Sequence, residues 1–162
     1  MGEITNGQGQ IIIISGHEEN PSLQQRADGF NREISISYPQ INNLGIRYAY
    51  DDDWVAEKIT DEILDKYPNL KGIYITGSGV LGVCKSLQKA NKIKDIKIIA
   101  NDFINDNIQL LSNGTINFLI GQDAYTQGYQ SIMLLFHKLF DNKNPDSKFA
   151  YTDIVIKNRF NI

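Results

Sequence analysis

Two polar pairs stand where apolar runs stop: Asn101-Asp102 after Ile96 to Ala100, and Gly121-Gln122 after Ile116 to Ile120. An ionised Asp102 only accepts hydrogen bonds, whereas the Gln122 carboxamide both donates and accepts, so together they suit a molecule rich in hydroxyls. One helix-length segment separates the two runs, which makes them parallel strands whose carboxyl ends open on the same side of a sheet. That edge is where open α/β sheets bind ligands. A sugar-type or polyol ligand is the expectation.

Other residues compete for roles at this edge. Arg26 falls one turn inside the first helix, where its guanidinium fork can reach the ligand or simply lie on the surface. Trp54 follows three aspartates at the end of another strand; its indole suits either the apolar face of a sugar ring or ordinary core packing. His17, Glu18 and Glu19 match no metal or acid–base spacing and read as solvated loop residues, with His17 in reach of a ligand. Ser15, Thr76 and Ser78 lack a histidine and acid in any nucleophile motif. His137, the second of the two histidines, lies on a long helix away from the edge.

Gly77-Ser78-Gly79-Val80-Leu81-Gly82 fits the dinucleotide fingerprint and has Asp102 about twenty residues beyond it. That fingerprint belongs after the first strand of a Rossmann domain, and here it follows the third. The reading with fewer assumptions is structural: glycines that permit a tight strand-to-helix turn. No cofactor, no metal and no enzymatic activity are expected. Lys85, Lys89, Lys92, Lys94 and Lys97 have no interleaved aromatics and read as a solvated face.

The elements that must position these residues alternate. Ile11 to Ser15 is an apolar run of the kind buried on both faces of a parallel sheet. Ser22 and Gln25 have capping-box spacing, and Leu23, Ala27, Phe30 and Ile34 then mark an amphipathic helix. Gly45 precedes a strand over Ile46 to Tyr50, and Asp51, Asp52 and Asp53 offer caps to a helix carrying Val55, Ile59, Ile63 and Tyr67. Gly72 to Thr76 is the third strand, followed by a helix with Val80, Cys84 and Leu87. A helix near Ile104 to Ser112 ends at Asn113-Gly114. Asp123 caps a long helix to Phe140, and Tyr151 to Lys157 is a last strand at an edge. The fold expected is a doubly wound, mostly parallel α/β sheet.

The chain has 162 residues, 41% of them hydrophobic, enough for one substantial core and too few to promise two full domains. Residues 1–10 read as a polar N-terminal segment and 11–162 as the ligand-binding lobe. A net charge of -3 lacks the basic footprint of a nucleic-acid-binding domain. No apolar run approaches the length of a membrane span, and none is expected. The single cysteine, Cys84, leaves no internal disulfide. On the long helix, Tyr125, Tyr129, Ile132, Met133, Leu134, Leu135, Phe136, Leu139 and Phe140 cover more of the circumference than one sheet face can bury. Something else should cover the remainder.

Gln25-Arg26-Ala27-Asp28-Gly29-Phe30, Ile98-Ile99-Ala100-Asn101-Asp102 and Leu111-Ser112-Asn113-Gly114-Thr115-Ile116, leading to Gln122 and Gly128, together resemble a known family. It comprises the sugar-responsive domains of lactose-repressor-like transcription regulators and the related type I periplasmic sugar-binding proteins. The resemblance covers nearly the whole chain. It implies a ligand-binding arginine at Arg26, a hydroxyl-accepting aspartate at Asp102, a glutamine at Gln122 and a stacking aromatic at Trp54. Where many members carry Asn-Asp after the third strand, this chain has Thr76-Gly77. The resemblance further implies a two-lobed protein of which this chain supplies mainly the C-terminal lobe, with the helix 123–140 packing on the other. The closing segment Tyr151 to Asn158 is similar to repressor-type C-termini. The expectation is therefore a cytoplasmic regulator, dimeric when intact, that reaches operator DNA through a helix-turn-helix segment outside this chain. A transport receptor of the same fold is the alternative, and an NAD-binding domain a more distant one.

Overall fold

Ile11, Ile12, Ile13 and Ile14 are all fully buried, alternate residues facing opposite sides of a sheet, as an unbroken β-branched run requires when helices cover both faces. The computed structural model describes residues 1–162. After a short 3₁₀ turn, its elements are β1 (Gly9–Ser15), α1 (Pro21–Ser37), β2 (Ile41–Tyr48), α2 (Asp53–Lys66), β3 (Leu70–Ile75) and α3 (Val80–Lys89). These are followed by β4 (Lys97–Asn101), α4 (Asn105–Ser112), β5 (Phe118–Gln122), α5 (Ala124–Phe140) and β6 (Ile154–Lys157). The six strands form one sheet in the order β2-β1-β3-β4-β5-β6, parallel except for β6, which runs antiparallel to β5 at the edge. The expected doubly wound α/β architecture is present.

Strand order reverses between β1 and β3, so α1 falls on one face and α2, α3 and α4 on the other. Ile12, Ile14, Ile73, Ile75 and Ile98 pack with Ala56, Val83, Leu87 and Leu111 of α2, α3 and α4. On the other face, Ile13 and Tyr74 meet Ala27 and Phe30 of α1, and Met1 and Ile4 pack there too. Residues 1–10 are polar in composition, yet Met1 and Ile4 lie against the sheet, and Thr5 Oγ1 donates to the carbonyl of Met1 at 3.1 Å to close the turn. Beyond α1 this face is open over β4, β5 and β6, leaving a groove of about 630 Å³ bordered by Phe30, Ile99, Phe118, Ile120 and Ile154. No residue of α5 is buried.

Local chemistry accounts for the differences from expectation. Asn20, not Ser22, caps α1, its Oδ1 accepting from the Ser22 and Leu23 amides at 3.0 and 3.4 Å, with Pro21 in the first turn. β2 starts at Ile41 because Gly45, at φ 90°, is an irregularity inside the strand and not its leader. The strand ends before Tyr50, which turns to φ 54°. β5 begins at Phe118 because Asn117 Oδ1 takes the Ile98 amide at 2.9 Å in place of a ladder carbonyl.

Between α2 and α3 the backbones approach so closely that a Cβ at Gly82 would overlap the Asp53 carbonyl. The Gly82→Ala variant is expected to lose about 1–3 kcal/mol of stability through overpacking, read as a lower midpoint in urea unfolding. Cys84 is 2% exposed, and burial first, with Asp53 second, pushes its thiol up to about 12. A disulfide reagent should therefore label Cys84 at the rate of unfolding and not in the folded state.

Candidate ligand-binding site

The site is built on the carboxyl edge from three separate elements. Arg26 projects from α1, and one Nη donates to the Thr76 carbonyl just past β3 at 2.5 Å. The two guanidinium nitrogens also face the two oxygens of Asp102, past β4, at 3.4 and 3.3 Å. Asp102 is half exposed and Arg26 largely covered, with side chains 48% and 17% accessible. The carboxylate thus presents open lone pairs to solvent while the cation behind it is shielded.

Supporting bonds fix the edge. Thr76 Oγ1 donates to Ser15 Oγ at 2.8 Å, tying β3 to β1 where the strand order reverses. Asn101 Nδ2 donates to the Tyr74 hydroxyl at 3.1 Å and the Ile75 carbonyl at 2.9 Å. Burial raises the Tyr74 phenol, against the opposing effects of its Asn101 bond and nearby Arg26, with Asp102 raising it further. Its oxygen accepts from Asn101, which leaves the hydroxyl proton to donate. Asp102 itself has φ 70°, and its amide donates to the Ile120 carbonyl at 2.8 Å. Arg26, Asn101 and Gln122 border the apolar groove on one side. Asn101 and Asp102 border a second, polar recess of about 310 Å³ on the other, with Asp51, Ser78 and Asn107.

The residues singled out from sequence fare differently. Arg26, Asp102 and Thr76 are joined, Thr76 through its backbone carbonyl because its side chain is fully buried against Ser15. Gln122 is exposed at the end of β5 and its Oε1 accepts from Gln127 at 3.1 Å, so it shares the groove with Arg26 without bonding to it. His17 is exposed after β1, its ring edge-on to Tyr50 at 5.4 Å. Trp54 is 67% exposed with the Lys58 amine 5.7 Å from its ring, which corrects the core-packing reading. It lies at the β2 end, three strand spacings or about 14 Å from β4. Asn107 and Tyr74 were not read from sequence. The available signal for Asn107 was an amide four residues before buried Leu111, hence on the inward face of α4.

The glycine fingerprint is occupied by the protein's own acids. Asp51 Oδ1 accepts the Ser78 amide at 3.0 Å and Asp53 Oδ1 the Gly82 amide at 3.2 Å. A pyrophosphate would meet carboxylates where a Rossmann loop offers free N–H groups. Gly79, at φ 95°, caps α3, and Gly82 lets α2 approach, so both glycines have structural reasons. The dinucleotide reading does not fit this geometry.

Residues 1–143 match the family described as periplasmic binding protein domain. No curated protein matches the sequence. Among solved structures, a solute-binding protein of an ABC transporter from Burkholderia graminis, in complex with D-arabinose, is 25% identical with a TM-score of 0.92. That match covers 99% of this chain and 56% of that one. An arabinose-binding protein from Geobacillus stearothermophilus is 25% identical with a TM-score of 0.87, over 99% of this chain and 58% of that one. A solute-binding protein from Agrobacterium vitis, bound with α-D-tagatopyranose, is 21% identical with a TM-score of 0.91, over 99% and 53%. The chain spans little more than half the length of these relatives.

Removing the cation strands the Thr76 carbonyl, so Arg26→Met is expected to cost about 1–3 kcal/mol in chemical denaturation. Asp102→Asn should cost less than about 1 kcal/mol, because Asp102 is half exposed and Asn tolerates a left-handed backbone.

Proposed function

Because the chain belongs to the periplasmic binding protein domain family, we propose that it is one lobe of a two-lobed sugar receptor that serves a transporter. The observation that carries this reading is the Arg26–Asp102 pair on the open carboxyl edge. A shielded cation holds a half-exposed carboxylate whose free lone pairs can accept from ligand hydroxyls. Tyr74 and Gln122 add a donor and a carboxamide in the adjoining groove. One 25%-identical relative is described as an arabinose-binding protein and another as a solute-binding protein in complex with D-arabinose, which supports an aldose as the ligand class.

In this reading the lobe binds and does no covalent chemistry. A second lobe closes over the ligand, and the ligand favours the closed state by touching both walls. The uncovered α5 and the apolar groove are then surfaces that a second lobe can bury. A transport receptor is favoured over a cytoplasmic regulator with operator DNA and a homodimer, because the 25%-identical structures are described as an ABC transporter solute-binding protein and an arabinose-binding protein. No helix is long and apolar enough to cross a membrane.

Thermal-shift and calorimetric titration with aldopentoses and aldohexoses tests the reading. A single lobe offers roughly half of a pocket that normally buries most of its ligand, so weak binding is expected, lost in Asp102→Asn despite its intact fold. Unchanged affinity in Asp102→Asn, or no response to any aldose, would overturn it. Sequence-specific DNA retention by the native protein would restore the regulator in place of the transport receptor.

A further inference from the structure

We infer that Asn107 is a positioning residue for Asp102: its buried side-chain amide clamps two successive backbone carbonyls and thereby aims the carboxylate at Arg26. The inference rests on the ligand site proposed above and names what sets its geometry.

Asp102 is a non-glycine residue in the left-handed region, at φ 70°. Aspartate enters this region more readily than most residues, and the direction its side chain takes there is set by the groups that hold the backbone. Here the Asp102 amide donates to Ile120 at 2.8 Å, which fixes one side of the residue. Asn107 Nδ2 donates to the carbonyls of Asn101 and Asp102, both at 3.1 Å. Those carbonyls flank the Asp102 Cα, so holding both sets the direction of its Cα–Cβ bond. Asn101 is anchored separately by Tyr74 and the Ile75 carbonyl, which leaves the clamp a rigid base.

The amide gives up an acceptor to do this. Asn107 is 2% exposed, and its Oδ1 is buried with no hydrogen-bond partner. Turning the amide over would set that oxygen against two carbonyls, so only the donating orientation is stable. A buried side chain whose donors serve one turn while its acceptor goes unpaired is organised around that turn and not around its own helix. No charged group takes part in the clamp, so the aim of Asp102 does not depend on pH through Asn107.

Asn107→Leu keeps the volume, removes both donors and also removes the orphaned oxygen. In a crystal structure of this variant, Asp102 is expected to leave the left-handed region and part from Arg26. Its affinity for D-arabinose should fall about tenfold. Should that variant fail to fold, Asn107→Asp keeps the shape, sets an acceptor against the same carbonyls and is expected to displace Asp102 likewise. Asp102 found at its native φ and against Arg26 in either variant would overturn the clamp. So would an undiminished affinity of Asn107→Leu for D-arabinose. If the wild-type chain ignores D-arabinose, the sugar reading suffers, and the crystallographic arm still decides the clamp.

Discussion

The guanidinium of Arg26 is the constraint on which the binding edge depends. It is a cation with only 17% of its side chain accessible, and such a group stays buried only with partners for its N–H donors. Those partners come from different parts of the chain, the Thr76 carbonyl past β3 and the Asp102 carboxylate past β4. α1 is thereby tied across the sheet edge to two strand ends. The Ser15–Thr76 hydroxyl bond extends the tie to β1. A ligand at this edge meets groups that are already oriented, which reduces the ordering that binding would otherwise require.

The same lobe is unequal on its two faces. α2, α3 and α4 close one face over the main core, while α1 and the first turn close only part of the other. What remains is the groove over β4, β5 and β6, continuous with Arg26 and Gln122. α5 adds a second apolar surface. Its Tyr125, Ile132, Leu139 and Phe140 are each more than half exposed, and it is held at its start by the Asp123 cap on the Thr126 amide at 2.9 Å. Capping defines where a helix starts, but packing of an amphipathic face normally supplies most of its stability. Both surfaces are apolar and open to water.

The sequence made the architecture legible because burial on both faces of a parallel sheet leaves continuous β-branched runs, and Ile11 to Ile14 is one. Arg26 and Asp102 were legible as residue types at strand ends and helix starts. Thr76 was legible only as a side chain, whereas it takes part through its carbonyl, which every residue possesses. The start of β2 was obscured by Gly45, since a glycine that leads a strand and one that interrupts it look alike in sequence. The cap at Asn20 was passed over for a Ser22–Gln25 spacing that the adjacent Pro21 made unnecessary. Trp54 gave no signal separating core from surface, because an indole after an aspartate cap suits both.

The lengths of the Arg26 bonds bear on how the site accepts a ligand. Charge-assisted N–H···O⁻ bonds are shortest near 2.7–2.9 Å, yet Arg26 stands 3.3 and 3.4 Å from Asp102 and only 2.5 Å from the neutral Thr76 carbonyl. The guanidinium is thus held from two sides, by the Thr76 carbonyl just past β3 and by the Asp102 carboxylate. Asp102 is held by its own backbone, through Ile120 and Asn107. Each charged group therefore has a hold besides the other. A carboxylate drawn fully onto its arginine would have its lone pairs satisfied and little left for a hydroxyl. Kept slightly apart, the pair retains acceptor capacity on Asp102 and donor capacity on Arg26, so a polyol can bond to both without first breaking a tight ion pair.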